Sequence, residues 1–494
     1  MSLPWVVVVD PFESQDILLR RKEFDRSGLF GELIGGMVPE QHIQFLSTDA
    51  RFKNSRNLIN HLMAPSFITQ VSGPHLYQSA CTMIRLWELK CNLAEGRPFE
   101  AAHDITFAAL DTIFAAMFGH PEADGVTIRR FDSTQQWTEA LPEDVDQPVP
   151  FPEGEILPIF AAALTLANHV TDTQLSPSPR LTSWVVRKFP YMRRATAIKD
   201  QYIRDKVDEF VHLIESGDTN PRTALHSVLL RERDVAAKES RPPSYHKRAI
   251  ADEFFGFMLA GHDTSATAMA WGVKYLADNA DAQTRLRESL RAALPDAAKA
   301  KRAPNYAELS RAHIPYLDAF VEEVLRHANT VAFVVRQALQ DTTVLGRRVP
   351  KGTDVFLMAN GPGYLEPNMP VDDGIRSIGA RRTTTSDGQG KTLTGAWGDD
   401  GIEAFRPERW LKRDPETGNE VFDSMAGPTL AFGLGQRSCF GKRFALQGLK
   451  IEFALIVWHF RLLKVPAELS SYDAVQRFAR EPKQCFVRLE SVEL

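Results

Sequence analysis

A single cysteine placed between glycines, directly ahead of a helix, is the feature that most constrains how this chain can fold. Residues 432–441 read FGLGQRSCFG, and the chain continues with KRFAL, which has the character of a helix start. The dipole and unpaired N–H groups of a helix N-terminus, together with Lys442 and Arg443, favour thiolate over thiol at Cys439. The glycines leave room for a flat ligand against the backbone, and Arg437 offers that ligand a cation. The segment therefore predicts a ligand-binding thiolate.

The residues alone leave a second interpretation open, in which Cys439 is an inert buried cysteine in a glycine-rich turn. A phosphate-binding loop is disfavoured, because the GLG at 433–435 neither follows a strand nor keeps the GxGxxG spacing. The four cysteines of the chain lie far apart without a CxxC pair, which argues against a disulfide framework and against a zinc ribbon. Cysteine usage therefore fits a reducing compartment.

Apolar residues recur at helical spacing along most of the chain, which predicts a mainly α-helical fold. The longest such segment, 246–279, is predicted to be a central buried helix. Within 331–357, β-branched residues interrupted by glycine and proline predict two or three short strands, and the tail up to Leu494 alternates like a hairpin. The other predicted helices cover residues 16–24, 54–64, 74–93, 102–118, 440–460 and the region between 156 and 216.

Two polar stretches are predicted to lack regular structure. Residues 121–155 are rich in proline and read as one long loop, whose length suggests function or mobility. Residues 372–401 are rich in Gly, Ser, Thr and Asp and read as a solvated insertion. Neither stretch marks a domain boundary, so we predict a single domain over residues 1–494, mainly α with a small β region.

The charge balance excludes one class of partner. Lys and Arg number 58 and Asp and Glu 63, so the formal charge is -5 and no basic field would attract nucleic acid.

The only apolar run at the amino end, residues 5–9, is much shorter than the about 20 residues of a membrane span. It reads instead as a buried strand that begins almost at Met1, from which we expect that an upstream segment is missing.

Residues 432–441 resemble, along their whole length, the FxxGxRxCxG haem-binding loop of the cytochromes P450. The resemblance implies haem b as the cofactor, with Cys439 as the axial thiolate ligand of its iron. It also implies that Phe432, Gly433 and Gly441 lie against the haem. In this family the thiolate pushes electron density toward the trans position, which favours O–O cleavage.

The segment AGHDTS at 260–265 lies in the middle of the predicted central helix. Gly, Asp, Thr and Ser are poor mid-helix residues, so we expect a locally distorted turn that opens a groove. A polar patch that faces solvent or hydrogen-bonds its own helix is an equal explanation of the residues alone. The segment resembles the one with which P450s seat dioxygen, and the resemblance implies that Thr264 and Asp263 guide protons to it.

Glu323 and Arg326 form an acid–base pair at i and i+3 on one face of a predicted helix, which on its own is a common surface arrangement. The later segment FRPERW at 405–410 resembles the PERF segment of the P450s. The resemblance implies that Glu323, Arg326 and Arg409 form the family's buried Glu-Arg-Arg triad, whose role is structural. Such a cluster contributes little net stability but is severely weakened by the loss of one member.

Three arginines match family positions that bind the haem propionates by charge-assisted hydrogen bonds. They are Arg437 in the cysteine loop, Arg336 in the predicted strand region, and Arg56 in the segment FKNSR at 52–56, where many relatives carry WxxxR.

The PERW ending and the histidine of AGHDTS look most like those of microsomal fungal members of the family. The membrane anchor, hinge and first helix of those members have no counterpart in the sequence.

The resemblance implies the P450 fold, with the haem between the central helix and the helix that follows Cys439. The implied reaction inserts one atom of O2 into a small, largely apolar substrate of fungal secondary metabolism, while the other atom leaves as water. Because the chain has no flavin or nicotinamide motif, the electrons would come from a separate NADPH-dependent cytochrome reductase. The same resemblance implies the cytosolic face of the endoplasmic reticulum membrane.

Two other functions stay open at this level. A haem-thiolate isomerase or dehydratase would rearrange a substrate that already carries the needed oxygen; Thr264 and Asp263 argue against it, because oxygen activation needs them. The second is a non-catalytic haem-binding fragment. Candidate substrate contacts, for each of which core packing is an equal explanation, are Phe254, Phe255, Met258, Ala260, Val331, Ala332, Phe333 and Val334.

Overall fold

The computed structural model of the protein describes residues 5–174, 176–382, 394–398 and 400–493. Its α-helices are α1 (Pro11–Leu19), α2 (Leu29–Ile34), α3 (Ala50–Ile59), α4 (Pro65–Phe67), α5 (Gly73–Ala94), α6 (Ala102–Phe118), α7 (Val126–Gln135), α8 (Pro158–Gln174), α9 (Pro179–Val186), α10 (Pro190–Glu215), α11 (Ala224–Lys238), α12 (Arg248–Asp278), α13 (Ala280–Ala293), α14 (Pro295–Lys299), α15 (Tyr306–Arg311), α16 (Pro315–Ala328) and α17 (Lys442–His459). Its strands are β1 (Val6–Val8), β2 (Phe24–Asp25), β3 (Phe99–Glu100), β4 (Phe333–Ala338), β5 (Thr342–Val344), β6 (Arg347–Val349), β7 (Asp354–Met358), β8 (Leu411–Arg413), β9 (Glu420–Phe422), β10 (Phe460–Leu463), β11 (Ala474–Gln476), β12 (Arg480–Pro482) and β13 (Phe486–Ser491). The prediction of a mainly helical fold with a small β region is confirmed.

One compact unit comprises Met1–Phe30 and Ile314–Lys442. Its main sheet has the order β1-β7-β4-β2, in which β1 is parallel to β7 and the other neighbours are antiparallel. The hairpins β5-β6 and β8-β9 belong to the same unit. Helix α1 packs on the sheet because Ile17 and Leu18 share an apolar core with Leu357 of β7.

The valine-rich start of the chain forms β1, an edge strand of this sheet. Its three residues pair in parallel with residues 355–357 of β7. Val8 is buried whereas Val7 is exposed, as the alternation of side chains in a strand requires. The prediction of a strand is therefore confirmed, but the prediction that it is buried is wrong for the face that carries Val7.

The second compact unit comprises Gly31–His313 and Arg443–Leu494 and is mainly helical. Helix α12 runs through its core, with Phe254 and Trp271 among its fully buried side chains. An added Cβ at Gly272 would lie 2.1 Å from the ring of Phe453 in α17, so only glycine lets these two helices approach so closely.

The carboxyl-terminal part of the second unit is largely extended. Strands β10, β13 and β3 form an antiparallel sheet, and β11 and β12 form a hairpin, which confirms the predicted hairpin in the tail. The hairpin is attached to α12, because Trp271 Nε1 donates a hydrogen bond of 2.8 Å to the carbonyl oxygen of Arg480. No helix among the described residues is both long enough and apolar enough to cross a membrane.

The first helix lies closer to the amino end than predicted, since α1 begins at Pro11 rather than at Asp16. The Asp10 carboxylate accepts hydrogen bonds from the backbone N–H groups of Phe12 (3.1 Å) and Glu13 (2.7 Å), and so caps the helix. Proline at the first helical position strengthens this start. The predicted helices that the structure confirms closely are those at 74–93, 102–118, 246–279 and 440–460, which are α5, α6, α12 and α17.

The prediction of one long loop over residues 121–155 is wrong, because this stretch contains α7. The carboxylate of Asp111, in α6, accepts hydrogen bonds from the backbone N–H groups of Val126 (2.9 Å) and Thr127 (2.8 Å). The helix N-terminus is therefore capped by a side chain from a different helix. A cap of this kind leaves no local signal in the sequence.

The predicted insertion at 372–401 is described only in part. Arg376 is buried and pairs with Asp10 at 2.5 Å, and Trp397 is buried and donates from Nε1 to the carbonyl oxygen of Pro428 at 3.2 Å. The described ends of the segment therefore carry buried, packed side chains, whereas the prediction described the whole segment as solvated. Residues 383–393, with the predicted polar threonines, lie outside the described residues. The single-domain assignment stays a prediction.

Candidate active site

The cysteine loop is a tight turn that depends on two glycines. Gly433 and Gly435 both have positive φ angles, of 59° and 71°, which side-chain-bearing residues rarely adopt. A Cβ at Gly435 would also lie 2.3 Å from the carbonyl oxygen of Leu18. The backbone N–H of Cys439 donates to the carbonyl oxygen of Phe432 at 2.7 Å, which closes the turn. Cys439 is exposed and forms no disulfide.

The cysteine sulfur lies beside the start of α17. The helix begins at Lys442, three residues after Cys439, so its positive end favours the thiolate form. A Cβ at Gly441 would lie 4.0 Å from the sulfur, so a larger side chain at this position would cover the sulfur. Lys442 Nζ lies 5.5 Å from the ring centroid of Phe432, which adds a positive charge on the same side of the loop.

A cluster of cations lies in the same unit as the cysteine loop. Burial, together with the neighbouring charge of Arg437, lowers the pKa of Arg336 to about 10, although Asp25 opposes the shift. Burial lowers the pKa of Arg26 as well, and the charges of Arg336 and Arg437 lower it further. Arg437 Nε pairs with Asp25 Oδ1 at 3.2 Å. Three guanidinium groups therefore influence one another electrostatically, and one of them pairs with the Asp25 carboxylate.

This cluster has more positive charge than its own acid neutralises. Arg336 is only 4% exposed, and its Nη2 has no hydrogen-bond partner among the described residues. Buried cationic N–H groups without an acceptor are costly, so an anion bound here would stabilise the arrangement. The two propionates of a haem would supply two negative charges and matching acceptors. The residues present therefore fit the cofactor that the sequence predicts.

Arg26 was missed by the sequence analysis. It directly follows Asp25, the last residue of β2, and belongs to no motif, so the sequence offers no signal for it.

Arg56, the third predicted propionate ligand, lies half-buried in α3 of the helical unit. Its role stays a prediction.

The AGHDTS segment forms an uninterrupted part of α12. The helix continues through the predicted distortion. The Thr264 hydroxyl donates to the carbonyl oxygen of Ala260 at 2.7 Å, so it is satisfied within the helix. Gly261 has a packing role, since a Cβ there would lie 2.7 Å from Ile113 Cδ1 in α6. Thr264 and Asp263 occupy consecutive positions of this helix.

The Asp263 carboxyl has an unusual acidity. Burial raises the pKa of its carboxyl to about 6, and the positive charge of Arg477 opposes the shift. Burial also raises the pKa of Glu481, in the β11-β12 hairpin, and the nearby Asp263 charge adds to the rise. His262 is buried, its Nδ1 lies 2.8 Å from the Met258 carbonyl oxygen, and burial lowers its pKa. A carboxyl group with a pKa near the working pH is suited to proton transfer.

The structure brings Glu323, Arg326 and Arg409 together as a cluster in which Glu323 and Arg326 are fully buried and the Arg409 side chain is 10% exposed. Glu323 Oε1 accepts from Arg326 Nη2 at 2.8 Å and from Arg409 Nε at 3.0 Å. Glu323 Oε2 accepts from Arg326 Nε at 2.8 Å and from the indole N–H of Trp410 at 2.9 Å. Burial would raise the pKa of Glu323, but hydrogen bonds from Arg326 and His327 outweigh it and hold the pKa well below the usual range.

Trp410 was named in the sequence only as the end of the PERW segment, yet its indole shares the Glu323 carboxylate. It is fully buried and contacts Trp397 edge to face, at 4.8 Å between ring centroids. The backbone N–H of Arg406 also donates to Glu323, at 2.8 Å. Glu323 therefore connects α16 to the segment that precedes β8.

Comparison with known proteins agrees with these observations. The cytochrome P450 family model matches residues 1–364 and 403–487. The cytochrome P450 monooxygenase TRI13 of Fusarium sporotrichioides is 35% identical, over 100% of this chain and 86% of the relative. The cytochrome P450 monooxygenase GME11363 of Pestalotiopsis microspora is also 35% identical, over 100% of this chain and 85% of the relative.

The crystal structure of the cytochrome P450DA heme domain has the same fold. It aligns with a TM-score of 0.67 at 17% identity, over 98% of this chain and 87% of that chain. The family binds haem through a thiolate-ligated iron, in agreement with the chemistry of the cysteine loop. The chain therefore belongs to the cytochrome P450 family and is a monooxygenase.

Proposed function

We propose that the protein binds haem b through Cys439 and inserts one atom of O2 into a small, largely apolar substrate of fungal secondary metabolism. The observation that carries the proposal is the presence, in one compact unit, of an exposed cysteine beside a helix start and a buried cluster of excess guanidinium charge. When bound, the haem supplies the redox chemistry that activates O2.

The chain's own residues would hold and orient this cofactor. The Cys439 thiolate would ligate the iron, while Arg336 and Arg437 would donate hydrogen bonds to the propionates, with Arg26 adding positive charge. Glycine at 433 and 441 keeps the surface beside the sulfur open. Asp25 would limit the mutual repulsion of the guanidinium groups.

Proton delivery would fall to α12. The Asp263 carboxyl is protonated about half of the time near pH 6, so it can both accept and donate a proton under ordinary conditions. The neighbouring Thr264 hydroxyl would pass that proton on to dioxygen. To do so, it would exchange its hydrogen bond to the Ala260 carbonyl oxygen for a hydrogen bond to dioxygen. Electrons would come from a separate NADPH-dependent cytochrome reductase.

Replacing Thr264 with alanine is expected to uncouple electron consumption from product formation. Proton transfer by a positioned group contributes roughly 10²–10⁴-fold in enzymes, so product formed per NADPH should fall by about tenfold or more. Product and NADPH consumption are measured together with a reconstituted reductase. Haem content and substrate affinity should be unchanged.

Thr267→Ala is the matched control, because it is the same substitution on the same helix. The Thr267 hydroxyl has no hydrogen-bond partner among the described residues. Unchanged coupling in Thr264→Ala would remove this residue from the mechanism. Turnover without any reductase would instead favour an isomerase or dehydratase.

We also propose that the protein associates with the cytosolic face of the endoplasmic reticulum membrane, through a patch formed by α9 and the start of α10. The most exposed large apolar side chains there are Leu181 (59%), Trp184 (57%), Phe189 (48%) and Tyr191 (55%). Cations lie among them, and Lys188 Nζ lies 5.3 Å from the Trp184 ring centroid. Aromatic residues mixed with cations favour the surface of an anionic bilayer.

The triple variant Trp184→Ser, Phe189→Ser, Tyr191→Ser is expected to lose most of its binding to vesicles that contain anionic phospholipid. Burial of each large apolar side chain contributes about 1.5–3 kcal/mol, so the partition constant should fall by tenfold or more. Co-sedimentation with vesicles measures it. The control is Val145→Ser with Met369→Ser, which removes apolar side chains that are 50% and 54% exposed elsewhere. Equal loss in both variants would exclude a specific membrane patch.

A further inference from the structure

One side of α12 is covered by the segment that carries β11 to β13, and Asp263 lies on that side. Cys485 Sγ donates to the carbonyl oxygen of Ala270 at 3.6 Å, and Lys274 Nζ lies 5.0 Å from the ring centroid of Tyr472. Ala270 and Lys274 follow Asp263 by about two and about three turns of the helix. The three residues therefore share the side of α12 against which the end of the chain packs.

The β11-β12 hairpin brings a second carboxyl group to this side of α12. Trp271 Nε1 donates to the carbonyl oxygen of Arg480 at 2.8 Å, and the Arg480 guanidinium carbon lies 4.7 Å from the Trp271 ring centroid. Glu481 is the next residue of β12. Burial raises the pKa of Glu481, and the negative charge of Asp263 raises it further. The two carboxyl groups are therefore within electrostatic reach of each other.

The neighbours of this carboxyl pair include one permanent cation. Arg477 Nη1 lies 3.7 Å from Glu481 Oε2, and its charge opposes the burial that raises the pKa of both Asp263 and Glu481. His262 also opposes the rise at Glu481, but burial lowers the pKa of His262 itself. Because His262 is mostly neutral near neutral pH, the positive charge that acts on the pair there comes from Arg477.

The interaction between the two carboxyl groups gives the order in which they lose their protons. The charge of Asp263 raises the pKa of Glu481 only while Asp263 is ionised. Glu481 therefore keeps its proton after Asp263 has released its own, and the pair shares one proton over a range of pH. Because burial raises the pKa of both groups, a proton moves between them at little cost.

We propose that Glu481 is the proton reservoir of Asp263. After Asp263 has passed its proton to Thr264, the Glu481 carboxyl gives its proton to the Asp263 carboxylate. Glu481 then takes up a proton from solvent, which its 27% exposed side chain can reach. Each step moves one proton and no electron. Glu481 acts through Asp263 rather than on the substrate, so it is a positioning residue. This inference rests on the proposed function and adds the source of its proton.

Infrared titration of the haem-loaded protein tests the order of proton loss without turnover. Glu481→Gln identifies the band of the Glu481 carboxylic acid by its loss. Asp263→Asn should move the midpoint of this band to lower pH by about 0.5 unit or more, because it removes the charge that holds the proton. Arg477→Gln should move the midpoint to higher pH, because it removes the opposing cation. Asp473→Asn, which changes an exposed carboxylate directly before β11, is the control and should leave the midpoint unchanged.

Glu481→Gln should also change the pH dependence of coupling. Product formed per NADPH should fall by about threefold or more at about pH 8, where Asp263 is ionised and needs a donor, and much less at about pH 6. Glu481→Asp should restore part of the loss, since it returns a carboxyl group to this position. Asp473→Asn should keep the pH dependence of the unmodified protein.

An unmoved midpoint in Asp263→Asn, or an equal loss of coupling at both pH values in Glu481→Gln, would overturn the proposal. If Glu481→Gln fails to fold, Asp263→Asn and Arg477→Gln still test it, because one carboxylic acid band must move in opposite directions in these two variants. Failure of the proposed function would show instead as absence of the long-wavelength thiolate band in the reduced, carbon-monoxide-bound protein. The infrared titration does not depend on that band, so the two failures are distinguishable.

Discussion

Cys439→Ala is expected to abolish the long-wavelength thiolate band of the reduced, carbon-monoxide-bound protein, together with monooxygenase activity. The reason is that this band requires a thiolate ligand to the iron, and Cys439 would supply it, since it lies before the positive end of a helix. The arginines Arg336 and Arg437 stay in place in this variant, so some haem can still bind. The spectrum, rather than haem content alone, is therefore the decisive measurement.

Cys81→Ala and Cys91→Ala are suitable controls, because both cysteines are half-buried and lie within α5. Burial raises the pKa of Cys81, so this thiol is a poor ligand at neutral pH. Both control variants should keep the band at full intensity. Retention of the band in Cys439→Ala would show that the ligand assignment is wrong.

Features that depend on neighbouring residues were predictable from the sequence. Helix α6 was predicted with its observed bounds, because alanine and large apolar residues recur there at helical spacing and Gly119 follows it. The cysteine loop was predictable because glycines and an arginine are close to Cys439 in sequence.

Features that depend on distant residues were not predictable. Helix α7 was missed because Asp111 caps it from α6. Arg26 joins the cation cluster only because β2 pairs with β4, which carries Arg336. The same limit applies to Trp410, since nothing in the sequence shows that its indole reaches Glu323. Tertiary contacts between remote segments decide these cases.

The half-exposed strand β1 illustrates a different limit. Four consecutive valines in the sequence favour a strand buried on both faces. The strand instead lies at the edge of the sheet, where its parallel partner β7 satisfies only one side. Apolar composition predicted the strand correctly, but the position in the sheet decides how much of it is covered.

Glu323→Ala is expected to yield protein that lacks haem or aggregates. Its removal would leave the buried Arg326 and Arg409 without their carboxylate, and the Trp410 indole without its acceptor. Breaking a buried ion pair in this way costs roughly 3–5 kcal/mol. This is a large share of the about 5–15 kcal/mol that stabilises an ordinary domain. Soluble yield, haem bound per chain and the urea midpoint measure the effect.

Two variants separate the loss of the buried charge from a general weakening of α16. Glu322→Ala changes the neighbouring acid, which is only half-buried, and should leave haem content and the urea midpoint close to those of the unmodified protein. Glu323→Gln keeps the size and one carbonyl acceptor but removes the charge, so its midpoint should lie between those of Glu323→Ala and the unmodified protein. Normal haem content in Glu323→Ala would mean that the arginines find other acceptors. The carbonyl oxygens of Ile402 and Ala404 are the nearest candidates, since Arg326 and Arg409 already donate to them.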